Sequence, residues 1–127
     1  MNLQILIVCC DKYYSKAIEI RQKFETFGYN VDGITNDMTD EEINTSCNRI
    51  NAAIIIFPCS NIENIINTII RNGTLCISVS DSLNDIPKWY MDVNHQSINT
   101  VSIDDCFESL YAIKSSITNV NNEILSN

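Results

Sequence analysis

The sequence predicts an α/β fold, a three-layer α/β/α sandwich around a mostly parallel five-stranded sheet, from two observations. The runs "LQILIVCC" and "AAIIIF" are short, apolar and without polar alternation, as strands covered on both faces must be. Between such runs lie segments with the helical period, and strands that alternate with helices pair in parallel through right-handed crossovers. With 127 residues, a single domain over 1–127 is expected, large enough to bury about two thirds of its unfolded surface.

The first strand spans about 3–9. It leads into "DKYYSKAIEIRQKFETFG", where Tyr13, Ala17, Ile20, Phe24 and Phe27 fall on one helical face and Gly28 supplies a stop. A short strand near 29–34 follows. In "NDMTDEE", Thr39 and Glu42 have the capping-box spacing, with Ile43, Cys47 and Ile50 as the buried stripe behind them. The apolar run at 52–57 is the central strand. Ser60 and Glu63 repeat the cap spacing ahead of a helix carrying Ile62, Ile65, Ile66 and Ile69, which Gly73 ends.

From 74 to 80 the pattern alternates, Leu75, Ile77 and Val79 against Thr74, Cys76, Ser78 and Ser80. That predicts a strand with one less covered face, at or near an edge. Residues 81–97 contain Pro87 and no period, and read as a long connection holding Trp89 and Tyr90. A last strand near 98–102 precedes a helix capped by Ser102, with Asp105 at the box position and Cys106, Leu110, Ile113 and Ile117 on its buried face.

Composition narrows the function classes. Hydrophobic residues make up 45% and charged residues 19%, ordinary values for a globular chain. The net charge of −8 opposes nucleic acid and anionic membrane surfaces, so neither is an expected partner. No apolar stretch reaches the roughly 20 residues of a membrane helix. The six cysteines form no C-x-x-C pair and His95 stands alone, so no metal site is expected. The thiols are expected reduced, most of them in the core of a cytoplasmic or nuclear protein.

The strand ends are where an α/β protein binds ligands. Neither "CCDKYYS" nor "FPCSNIE" has the glycine that lets backbone N–H groups approach a phosphate, so no nucleotide cofactor is expected. A receiver-like topology survives as architecture, but Asp11 alone after the first strand and Phe57-Pro58 at the third do not make its metal site. Cys59 lacks a base to make it a nucleophile, Ser60 reads as a helix cap, and Asp11 as a cap followed by the solvated Lys12.

"LQILIVCCDKYYSKAIEIRQKFETFGYNVDG", "INAAIIIFP", "NGTLCISVSD" and "VSIDDCFESLYAIKSSI" together resemble the anticodon-binding domain of class II aminoacyl-tRNA synthetases, over most of 3–117. The order "DKYY…FGYNVDG…INAAIIIFPCS" also resembles, more distantly, TIR domains, whose hydrolases place a catalytic Glu on the helix where Glu63 lies. The first resemblance implies a noncatalytic protein-interaction or dimerisation module in a transcription- or RNA-linked assembly, with no catalytic residue and no cofactor. Leu75, Ile77, Val79, Trp89 and Tyr90 would then meet a protein partner or a second copy. The alternatives are an RNA-binding accessory domain that uses Lys16, Arg21 and Lys23 on the first helix and, behind it, the TIR-like enzyme that the second resemblance implies.

Overall fold

The computed structural model describes residues 3–93 and 98–112. Strands and helices alternate along the chain: β1 (Gln4–Val8), α1 (Tyr14–Thr26), β2 (Asn30–Thr35), α2 (Asp40–Cys47), β3 (Ala52–Ile56), α3 (Glu63–Arg71), β4 (Leu75–Val79), α4 (Lys88–Val93) and β5 (Ile98–Asn99). A further helix, α5, covers 103–112. All four strand pairings are parallel, in the order β2-β1-β3-β4-β5.

The period of two in a strand builds the three layers from the sequence. Ile5, Ile7 and Cys9 of the first strand region pack with Ala17, Ile20 and Phe24 of α1 and with Cys106 and Leu110 of α5. Leu6 and Val8 point the other way, into Ile43 of α2, Ile65, Ile66 and Ile69 of α3, and Tyr90 of α4. All five residues of β3 are buried, so the predicted central strand is central. The chain leaves β1 in one direction to reach β2 and returns past it to β3, β4 and β5. With right-handed crossovers this puts α1 on the opposite face from α2, α3 and α4, which is the division the two apolar clusters show.

Local signals are mixed in outcome. The Thr39–Glu42 capping box forms in both directions, and Ser102 Oγ accepts from the Asp105 amide at 3.0 Å. Ser60 does not cap α3, which begins at Glu63 behind Ile62 with no side-chain cap, after the chain turns through Asn61 at φ 63°. Asp11 is not a cap either: it opens a single 3-10 turn, Asp11–Tyr13, and its carboxylate accepts from Asn36 Nδ2 at 3.3 Å. Phe27 lies just beyond α1 and is 57% exposed, although its ring meets Phe107 at 4.3 Å.

The expected edge strand at 74–80 is interior, paired to β3 on one side and β5 on the other. Its serines alternate for a different reason than solvent. Ser78 Oγ donates to Asn99 Oδ1 at 2.9 Å and Ser80 Oγ to the Ser82 carbonyl at 2.6 Å, so both hydroxyls are buried and paired. The connection read as irregular holds a 3-10 turn, Leu83–Asp85, and α4, which makes the β4–β5 link a crossover and the sheet wholly parallel. The position of His95 and the expectation for Ile113 and Ile117 fall outside the described residues.

This layering sets the cost of core truncation. Ile54→Ala, in the middle of β3, should lower unfolding free energy by about 2–5 kcal/mol, whereas Thr39→Ala should cost about 1 kcal/mol. Urea titration of both variants against the parent under nonreducing conditions checks the contrast.

Candidate functional site

The strand order reverses between β1 and β3, and outside the carboxyl ends of that pair lies the crevice where open α/β sheets bind their ligands. β1 runs on through Cys9, whose amide donates to the Thr35 carbonyl at 3.0 Å, and Cys10 follows as the first residue free of the sheet. β3 runs on through Phe57, whose amide donates to the Val79 carbonyl at 2.8 Å, and the chain then passes a cis Phe57–Pro58 bond to Cys59. Cys10 and Cys59 are joined as a disulfide with Cα atoms 5.4 Å apart, across 49 positions of sequence.

The expectation that all six cysteines are reduced is therefore corrected. Parallel register places Val8 beside Ile55, so the two exits stand next to each other, and residues that spacing along the chain holds far apart come within bonding reach. Both cysteines are half-buried, and Pro58 and Ser60 on either side of Cys59 are exposed. The bond thus lies at the carboxyl edge of the sheet between exposed neighbours. Cys59 Sγ also sits 3.9 Å from the Ser60 carbonyl oxygen.

The free cysteines behave differently. Cys9 is buried beneath the site, and burial first, then the neighbouring Asp11 carboxylate, push its thiol above the ordinary value of 9.0. Cys106, on α5, is pushed up by burial to about 12. Cys76 is buried in β4, and Cys47 is half-buried on α2. Among the described residues no three cysteine, histidine or acidic side chains converge in a way that could hold a metal ion.

The other sequence-predicted residues do not gather into a site. Ile77, Val79 and Tyr90 are fully buried core residues, with Leu75 half-buried on the same strand. Tyr90 packs against Phe57 at 5.1 Å between ring centroids, and the half-buried Trp89 stands edge-on to it at 6.2 Å. The proposed partner surface is thus largely interior, because β5 and α4 cover what was taken as an open edge. Lys16 is bound by Asp81 at 2.9 Å, Lys23 by Asp104, and Arg21 faces Glu25 at 3.9 Å, so the three cations of the RNA reading are answered by acids. Glu63 is the exposed first residue of α3. No described helix is long and apolar enough to cross a membrane.

The site the sequence reading missed had a visible signal. Cys10 and Cys59 stand two and three residues beyond the ends of apolar strands, and a receiver-like strand order makes those two strands neighbours.

No protein-family model matches this chain, and no curated protein does. Among solved structures it is similar to diflavin flavoprotein A3 from Nostoc sp., at 14% sequence identity and a TM-score of 0.58, over 81% of each chain. That likeness supports the three-layer α/β/α sandwich. It also corrects the expectation of a noncatalytic interaction module, since the matched protein is by its name a flavoprotein.

Because a raised thiol pKa means that the fold holds the protonated form, the Cys106 contribution is complete below pH 9.0. It is lost as the pH climbs towards about 12. In reduced, native protein at pH 8, iodoacetamide should therefore modify Cys10 and Cys59 and leave Cys9 and Cys106 intact until urea is added, as peptide mass mapping would show.

Proposed function

We propose that this protein is a thiol–disulfide redox protein whose centre is the Cys10–Cys59 pair. The observation that carries this reading is the placement of a half-buried disulfide, with exposed residues on either side of Cys59, at the point of strand-order reversal, where this class of sheet does its chemistry. The reaction is exchange. An incoming thiolate attacks one sulfur, the Cys10–Cys59 bond breaks, and the other cysteine leaves as a thiolate. A second thiolate then attacks the resulting mixed disulfide, releasing an external disulfide and leaving two protein thiolates, which take protons from water. Two electrons pass to the protein from the pair of external thiols.

The flavin named in the structural relative does not fit the residues here. The three glycines of the chain, Gly28, Gly33 and Gly73, lie after α1, within β2 and after α3. None is in a loop that leaves the carboxyl end of a strand, where backbone amides would have to close on a phosphate. Asp11 brings a carboxylate to the first such loop, and the disulfide itself ties together the two walls of the crevice. The chain's own cysteines supply the redox chemistry in this reading. In a cytoplasmic or nuclear setting, disulfides are characteristically transient and catalytic or sensing, which is the use proposed.

Equilibration in dithiol redox buffers followed by acid quench, alkylation and mass spectrometry tests the reading. Cys10 and Cys59 should titrate together as one two-electron couple with a midpoint above about −300 mV, the side on which labile disulfides lie. Cys10→Ser and Cys59→Ser should each abolish the couple. A bond that resists reduction below that potential, or two cysteines that never oxidise together, would remove the proposal.

A further inference from the structure

The connections at the carboxyl edge of the sheet, where the disulfide lies, carry more acids than bases. Asp11 follows Cys10 directly, Asp37 stands after β2, Glu63 opens α3 beyond Cys59, and Asp81 and Asp85 follow β4, while Asp40 turns to Thr68 of α3 at 3.3 Å and lies outside this group. Asp11 and Asp37 are exposed, as are Glu63 and Asp81. Cations on the same connections answer only part of this charge. The Lys16 ammonium is held by Asp81 at 2.9 Å, Lys12 lies over the Tyr13 ring at 5.6 Å, and Lys88 begins α4. The hydrogen bond from Asn36 Nδ2 to Asp11 at 3.3 Å holds the carboxylate of the residue next to Cys10 without neutralising it.

Resting on the redox reading above, we infer that the Cys10–Cys59 centre selects its thiol partner by charge and exchanges with a thiol on a positively charged carrier. The attacking group is itself an anion, so it must enter a negative field, and a cationic substituent on the same molecule offsets that repulsion. In water one unscreened carboxylate about 6 Å away separates a singly cationic from a singly anionic reagent by about tenfold in rate. The carboxylates are on the solvent side, so salt screens them, with a Debye length of about 10 Å at 0.1 M. Small anionic thiols are disfavoured by the same field. The balance of the exchange is unchanged: two carrier thiols are oxidised to a disulfide as Cys10 and Cys59 are reduced.

The test is the rate of reduction of the oxidised full chain by cysteamine, 2-mercaptoethanol and 3-mercaptopropionate, read by quench alkylation and mass. Each rate is expressed per thiolate and normalised to the same reagent acting on a neutral small disulfide. At about 20 mM salt cysteamine should exceed 3-mercaptopropionate by about tenfold or more, with 2-mercaptoethanol between them, and at about 0.5 M the ratio should fall to about twofold. Asp11→Asn, which keeps the size of the side chain, should lower the low-salt ratio severalfold, with circular dichroism unchanged. Equal normalised rates for the three reagents at low salt, or a ratio that salt does not reduce, would overturn the charge selection and leave the redox centre standing. Failure of all three reagents to open the bond, while they reduce the small disulfide, would sink both.

Discussion

Burial of the sheet on both faces is the constraint from which the remaining features follow. A parallel strand pair has helices on either side, so every residue of β3 and nearly all of β1 must be apolar or small. Ile5 and Ile7 cannot turn towards solvent without also turning Leu6 and Val8 away from α2 and α3, because the period of two binds the faces together. The pairing of β1 with β3 is therefore firmly specified, and with it the meeting of the two chain exits at the carboxyl edge. The sheet delivers Cys10 and Cys59 to one place, and the bond between them is a consequence of register.

Polar side chains inside this frame are matched locally. Ser78 and Ser80 lie in the buried part of β4 and its exit, and each hydroxyl has an oxygen partner supplied by the next strand or loop. Thr68 on α3 is buried, donates to the Asn64 carbonyl at 2.9 Å and accepts from Arg71 at 2.9 Å. On the rim, Arg49 meets Asp32 at 3.1 Å where an extra residue interrupts the β1–β2 register, so charge lies on the exposed outer strand. Among the described residues Lys16, Arg21, Lys23 and Arg49 are each paired with an acid.

The site combines two properties that an α/β edge otherwise separates. In the proposed reading the chemistry belongs to the covalent bond between two neighbouring exits, and recognition to the charges on the connections around it. The buried Cys9, one residue before the disulfide, stays a thiol because burial and Asp11 both disfavour its anion. Adjacent cysteines at one strand exit thus fall to opposite fates, one packed on the α1 side of the core and the other leaving the sheet.

By itself the sequence determined the elements whose signals are local. The apolar runs at 3–9 and 52–57 required strands buried on both faces, Ala17, Ile20 and Phe24 required one face of a helix, and Thr39 with Glu42 and Ser102 with Asp105 set helix starts. Strand order was decided only in three dimensions, because it depends on which crossovers pack against which face. For that reason the interior position of β4, the buried state of Ile77, Val79 and Tyr90, and the helix α4 within 81–97 were not legible from alternation or from Pro87. The disulfide belongs with these. Its two halves are 49 positions apart, each looks like an ordinary residue at a strand end, and only the parallel pairing of β1 with β3 brings the sulfurs together.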